Sequence, residues 1–344
     1  MAKYDTGTDD GRVRVRPPKS SRPRTKRRPD YSDRPSGRVV AVDRGRFAVA
    51  LDSDQDLVVS AVKARELPRA SVVIGDRVRL TGDLTGAEGT LARIAQVEER
   101  KNVLRRSLEE AAEGRGEKII VSNADLMMIV VAAATPPPRV RMVDRCLVAA
   151  HEAGIPAVLC LTKTDLADTD EFAGHFDGFG LTIAQTKVVD GKMVGVDEVE
   201  DLVTDRFSVL IGHSGVGKST LINALAPNAD RAVGEVNQHT GKGRHTSTSA
   251  VALPLQDGGW MVDTPGVRSF GLGHVSEADV LEVFPGIAEA AELCLPNCSH
   301  AATEPSCAID AWVQEAPNDG AVPRKERAER ARSLLEALPS SHWE

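Results

Sequence analysis

Between Gly37 and about Glu99, apolar and β-branched positions gather in five short stretches separated by polar residues: 38–42, 46–51, 57–62, 77–80 and 90–94. Gly45, Gly75-Asp76, Gly82-Asp83 and Gly89 break them apart. Short apolar runs of this length, punctuated by glycine and turn residues, predict strands with tight turns. Five such strands in about sixty residues predict a small β-barrel of the OB type, or another small barrel such as an SH3-like one. Residues 100–117 then turn basic and polar, as a linker does. From Ile119 to Ala134 the chain is almost continuously apolar, broken only around Asn123-Ala124-Asp125, which predicts a strand buried on both faces. A helix is expected from about Arg139 to Ala153 and a second buried strand over Pro156–Leu161. Strands follow at 207–211, 250–253 and 259–262, and the alternation of strands with helices predicts a parallel α/β sheet through about residue 275. From Ser276 the pattern is helical. Leu334, Leu335 and Leu338 place a terminal helix against a Cys-rich segment, with its Arg and Glu residues expected on a solvated face.

The resulting division is a basic disordered tail (1–36), a barrel (37–99), a linker (100–117), a nucleotide-binding α/β domain (118–275) and a helical, metal-binding C-terminal domain (276–344). At 344 residues the chain is long enough for several cores. No apolar run approaches the roughly 18–20 residues that span a bilayer, and the N-terminus is charged. A soluble, cytoplasmic protein without membrane contact is expected. The formal net charge is -7, yet residues 1–40 hold 12 Lys and Arg against 5 Asp. Proline-interspersed basic residues cannot fold alone and suit contact with a polyanion such as RNA; a solvated tail with no partner is the alternative. Of five cysteines, three lie within residues 294–307, which excludes a disulfide scaffold, and Cys146 and Cys160 sit in apolar segments as core residues.

Chemistry enters at Gly212-His213-Ser214-Gly215-Val216-Gly217-Lys218-Ser219-Thr220, which follows one predicted strand and opens a helix. Glycines there let backbone N–H groups curl around phosphates, and the helix N-terminus adds its dipole. Lys218 would reach the β- and γ-phosphates, and the Ser219 hydroxyl would ligate magnesium. Asp263-Thr264-Pro265-Gly266 ends a later strand, where Asp263 can hold magnesium through water and the Gly266 N–H can sense the γ-phosphate. The glycine-broken loop Gly241–Thr248 lies where a first switch belongs, with Thr246 or Thr248 as a further magnesium candidate.

Thr162-Lys163-Thr164-Asp165 directly follows a buried strand, as a base-reading loop does. Asp165 can accept the ring N1–H and exocyclic amine of guanine, a pair that adenine cannot supply, and Lys163 can lay its stem over the base. This disfavours an ATP-dependent kinase. Thr162 stands where GTPases usually have Asn; lacking the amide that ties this loop to the phosphate loop, it predicts modest affinity. Gln185-Thr186-Lys187 is a weaker second base-contacting candidate. The base loop precedes the phosphate loop, the reverse of the usual order, which predicts a circularly permuted nucleotide-binding domain. Further on, Cys294-x3-Cys298-x-His300-x6-Cys307 matches a filled Cys3His zinc set, structural rather than catalytic; a short knuckle of this kind could also grip RNA.

Taken together, the permuted order, the phosphate loop, Gly243-Arg244-His245-Thr246-Ser247-Thr248, Asp263-Thr264-Pro265-Gly266-Val267-Arg268 and the Cys-Cys-His-Cys set resemble the small-ribosomal-subunit-dependent GTPases of bacteria, the RsgA or YjeQ family. The resemblance covers about residues 37–315. It implies an OB barrel, a circularly permuted GTPase domain and a zinc domain. It further implies GTP hydrolysis to GDP, slow alone and stimulated by the small subunit, in late 30S maturation on 16S rRNA, with magnesium, one structural zinc and a monomeric chain. Two departures are Thr162 and a Cys-x3-Cys spacing one residue short of the family's. Val267 stands where many GTPases place a water-orienting glutamine, and the resemblance hands that role to His245. The competing reading is a GTP-gated RNA-binding assembly factor in which hydrolysis is secondary. Because permutation lets the second switch feed almost directly into the zinc domain, a relay of nucleotide state along that backbone is expected.

Overall fold

The computed structural model describes residues 30–67, 72–87, 89–108, 116–227, 250–264, 272–318, 320 and 322–338. The basic tail through Pro29 therefore lies outside the described residues.

Strands β1 (Ser36–Asp43), β2 (Arg46–Leu51), β3 (Asp54–Lys63), β4 (Arg77–Gly82) and β5 (Ala92–Val97) overlap the five short stretches read as strands. β1 pairs with β2 and β4, β2 with β3 and β4 with β5, all antiparallel; β3 runs parallel to β5, which closes the barrel. Successive side chains point to opposite faces, so Phe47, Val49 and Leu51 of β2 meet Val59, Ala61, Val78, Leu80 and Ile94 inside the barrel. The other face of the same strands is buried too. Val40, Ala41, Ala48 and Ala50 join a second core that contains Met127, Ile129 and Val209. Sealing both faces of β1 and β2 fixes the barrel on the α/β layer.

The expected linker is in large part structured. β6 (Val103–Leu108) pairs antiparallel with β7 (Gly116–Ser122), and Leu104 is fully buried. Ahead of it, Arg100 grips the buried Asp76 carboxylate through Nε (2.7 Å) and Nη2 (2.9 Å). Asn102 exchanges two hydrogen bonds with the Ala124 backbone at 2.8 and 2.9 Å. The basic composition that suggested a linker reflects side chains engaged by carboxylates and amides. The apolar run 119–134 is split accordingly between β7 and β8 (Leu126–Ala132).

β8 lies in a sheet with β9 (Ala157–Thr162), β10 (Thr182–Gln185), β13 (Phe207–Ile211), β14 (Val251–Pro254) and β15 (Trp260–Asp263), in the order β10-β9-β8-β13-β15-β14. The first five are parallel and β14 is antiparallel to β15. Met127, Ile129 and Val131 fill one face while Leu126, Met128 and Val130 fill the other, which is why β8 reads as an unbroken apolar run. Helices α1 (Val140–Glu152), α2 (Asp170–Gly174), α3 (Val196–Val203) and α4 (Lys218–Leu225) belong to this layer, with a hairpin of β11 (Lys187–Val189) and β12 (Lys192–Val194). Cys146 and Cys160 are core residues, as expected, and burial pushes both thiols up to about 12. β1 extends the sheet by pairing with β14 at Ala41 and Val251.

Four helices complete the described fold: α5 (Glu277–Val283), α6 (Ile287–Ala291), α7 (Ala308–Glu315) and α8 (Arg324–Leu335). Ser276 starts α5 with a capping box to Asp279. The terminal helix departs from the solvated face expected of it, because Arg327 and Arg330 are buried. Arg330 forks onto Asp144 at 3.1 and 2.6 Å and lies over the rings of Phe176, Phe179 and Phe284. Arg324 and Arg327 stack on Trp312. Planar guanidinium groups pack on aromatic faces while bonding carboxylates, so a charged helix can be buried. Among the described residues, no helix is long and apolar enough to cross a membrane.

Candidate nucleotide site and metal cluster

The phosphate loop runs from the end of β13 to the start of α4, so the sheet edge and the helix N-terminus aim at one point. Gly217, which caps α4, has φ +101°, a conformation L side chains rarely adopt. At Gly212 a Cβ would lie 2.4 Å from the Val130 carbonyl oxygen, so only glycine fits there. Lys218 Nζ donates to the Gly212 and His213 carbonyls at 2.7 and 2.8 Å. Burial depresses its pKa, with the Asp263 carboxylate opposing; burial likewise raises Asp263 against Lys218 and the Thr264 N–H. A half-buried ammonium that, among the described residues, is held by backbone carbonyls alone and faces one carboxylate is suited to an added anion. Asp263 ends β15 opposite Leu210, and Thr264 Oγ1 donates to the Leu210 carbonyl at 2.7 Å, which pins the end of β15 to β13. Ser214, Ser219 and Thr220 are exposed at the mouth of the loop.

The base loop is tied to this cradle directly. Thr162 Oγ1 donates to the Val216 carbonyl, and Lys163 Nζ bridges the Gly215 and Thr135 carbonyls at 2.7 and 2.6 Å. Thr162 lacks the expected amide, yet its hydroxyl makes a tie of the same kind, and Gly217 leaves room for it at 3.4 Å from a would-be Cβ. Thr164 donates its N–H to the Thr186 carbonyl at 3.3 Å, and Asp165 is exposed. The second base-contacting candidate thus adjoins the first through Thr186, whose side chain is buried between Gln185 and Lys187. His245, Thr246, Thr248, Gly266 and Val267 lie outside the described residues.

Cys294, Cys298, His300 and Cys307 converge, with all four ligand atoms within 4.8 Å of one another. Cys294 Sγ is 3.5 Å from His300 Nδ1 and 3.9 Å from Cys307 Sγ, and Cys307 Sγ is 3.8 Å from that nitrogen. Zinc–sulfur bonds of about 2.3 Å place tetrahedral ligands about 3.8 Å apart, so the set fits zinc despite the shortened spacing. A second layer orients it. Glu277 Oε1 lies 3.1 Å from His300 Nε2, the Ala308 N–H points at Cys294 Sγ at 3.2 Å, and Arg332 holds the His300 carbonyl at 2.8 Å. The Glu277 and Arg332 contacts are long-range in sequence and could not be found from ligand spacing.

Known proteins fit this geometry. A sequence profile for the RsgA GTPase family matches residues 97–273. The protein named small ribosomal subunit biogenesis GTPase RsgA in Chlorobaculum parvum is 33% identical over 273 residues, covering 78% of this chain and 85% of its own. Its namesake in Pseudomonas aeruginosa is 32% identical over 323 residues, covering 91% and 88%. Among solved structures, YjeQ from Thermotoga maritima superposes with TM-score 0.65 at 24% identity, covering 88% of this chain and 97% of that one. YloQ, described as a circularly permuted GTPase, gives 0.63 at 22%, with 89% and 95% covered. The profile match over half of the chain and the relatives at about a third identity, within a fold these proteins share, establish that the chain is a GTP-hydrolysing enzyme of the RsgA GTPase family.

Proposed function

We propose that this protein binds the 30S ribosomal subunit and couples GTP hydrolysis to late maturation of that particle and to its own release. The observation that carries the reading is the clasp of Thr162 and Lys163 on the Val216 and Gly215 carbonyls, which joins a guanine-reading loop to a phosphate cradle. Asp165 selects guanine by accepting two N–H groups. The Gly212–Thr220 backbone and Lys218 hold the phosphates, and Lys218 offsets charge that builds on them during transfer. Ser219 and Asp263, with Thr246 or Thr248, would hold magnesium, which neutralises phosphate charge when bound. His245 is assigned to orient the attacking water, and the Gly266 N–H to sense the γ-phosphate. Cys294, Cys298, His300 and Cys307 hold one structural zinc. The small ribosomal subunit as partner rests on the relatives' names, and 16S rRNA as the contacted surface, a monomeric state and a cytoplasmic location are part of the same proposal.

Sedimentation with purified 30S subunits in GDP, GTP and a non-hydrolysable GTP analogue, with turnover measured alongside, tests this. Co-sedimentation should favour the GTP analogue, and 30S subunits should raise turnover. Lys218→Ala should lose nucleotide binding, and His245→Ala should lose the stimulated turnover while retaining GTP-dependent binding. Nucleotide-independent binding without stimulation would defeat the proposal. Function surviving intact in His245→Ala despite abolished hydrolysis would favour a GTP-gated assembly factor.

A further inference from the structure

At the end of the GTPase sheet opposite Gly212 and Asp263, where Phe207 opens β13 and Trp260 opens β15, barrel and sheet together line a partly open cavity of about 100 Å3. That is room for about three waters, far below the roughly 300 Å3 of the smallest ordinary ligand pockets. Arg38 of β1 reaches it with its guanidinium 4.4 Å from the centroid of the Phe207 ring. Its Nη1 is buried and meets no hydrogen-bond acceptor among the described residues.

The carboxylates nearby are engaged elsewhere. Asp52 accepts from Arg77 Nη2 and from Ser36 Oγ, both at 2.5 Å. Asp125 accepts the Phe207 N–H at 3.0 Å and faces Lys101 Nζ at 3.2 Å. Burial lowers the pKa of Arg38, and Arg77 adds to that effect against the pull of Asp125 and Asp52. At the rim, Asp205 and Arg206 are exposed and opposite in charge. What remains inside is a forked cation with an unused buried donor, and buried donors of this kind ordinarily have a partner. A phosphate group accepts from a guanidinium fork in a geometry that ammonium or amide donors do not match.

We propose that this cavity is a second anion site, separate from the phosphate loop, which takes a single phosphate group on Arg38 beside Arg77 and Trp260. The volume admits one phosphate group and leaves any attached sugar or base outside. The same chemistry is offered by free inorganic phosphate and by a phosphodiester of a nucleic-acid backbone. Because the site lies between barrel and GTPase sheet, its occupant bridges the two.

The full chain loaded with GDP, so that the phosphate loop is occupied, is titrated with inorganic phosphate while Trp260 emission and phosphorus-31 linewidth are followed. A saturable change is expected in both. Trp260→Phe should remove the optical signal and leave the line broadening. Arg38→Met should weaken binding at least about tenfold. Gln55→Glu, at an exposed position on the cavity wall, should weaken it several-fold by charge alone and decides the matter should Arg38→Met fail to fold. A short oligoribonucleotide that displaces phosphate assigns the group to a nucleic-acid backbone, and one that does not assigns it to free phosphate; either result keeps the site. No saturation, or saturation with an unchanged midpoint in the variants, overturns it.

Discussion

Replacing Thr162 with valine keeps the shape of a buried residue but removes the only proton it can donate, leaving the Val216 carbonyl without that bond. Losing one such bond is worth about 1–1.5 kcal/mol, so Thr162→Val should bind GDP about tenfold more weakly. Thr162→Asn restores a donor and should bind within a few-fold of the parent; fluorescent-GDP titration of both variants distinguishes a hydroxyl that positions the loop from one that merely packs. Asp263 is a residue of the opposite character. Burial raises its pKa, so the folded chain holds that proton more tightly than the unfolded chain does. Its contribution therefore favours folding at low pH and turns against folding as pH rises above the ordinary carboxylate value of about 3.9. Asp263→Asn should raise the melting temperature of the nucleotide-free protein at pH 7 while lowering GTP turnover at least about a hundredfold. A variant less stable at pH 7 than the parent would show that the carboxylate stabilises the fold after all.

The joint between α1 and α8 makes the same point for whole elements. Arg330 and Asp144 are bonded at 3.1 and 2.6 Å and have side-chain exposures of 8% and 1%. Even so, burial raises Asp144 over the opposing effect of Arg330, which means that pairing does not fully offset desolvation. Arg330→Met should therefore cost about 3–5 kcal/mol by stranding the carboxylate, whereas Arg330→Met with Asp144→Leu should come out near neutral. Denaturant melts of the two single variants and the double variant read this directly. Sequence could not supply this joint, since its partners are 186 positions apart and a charged helix surface looks the same whether solvated or buried on phenylalanines. The barrel strands were legible because each is a short apolar run set off by polar turn residues, with Gly45, Gly75, Gly82 and Gly89 punctuating the segment. β6 was not, because only Leu104 marks it as buried among basic residues. The metal cluster was legible from spacing, and its supporting Glu277 and Arg332 were not. One zinc per chain is expected, falling to about none in Cys307→Ser, with loss of protection from proteolysis confined at first to residues 272–338; metal analysis and limited proteolysis check this.

Across the whole molecule, permutation gives the second switch a short path. Asp263 and Thr264 leave the sheet beside the phosphate loop, and by Leu272 the chain is already buried in the core of the C-terminal helices with Val275, Val280 and Leu281. Glu277, the first residue of α5, faces the metal-cluster histidine, and His151 near the end of α1 meets Glu282 of the same helix at 2.9 Å. α5 is thus held by the metal cluster on one side and the GTPase layer on the other. A second switch that draws in toward a γ-phosphate pulls on the segment feeding this helix, and packed elements answer such a pull by shifting as units. Hydrogen exchange of α5 and residues 293–307 should therefore differ between the GDP state and the non-hydrolysable GTP state, with at least about a threefold change in protection. α3, whose buried Val199 and Val203 belong to a different core from that of α5, should exchange equally in both and serves as the internal control. Equal exchange in α5 as well would mean that nucleotide state stops at the sheet and reaches the metal-binding region by no path through this backbone.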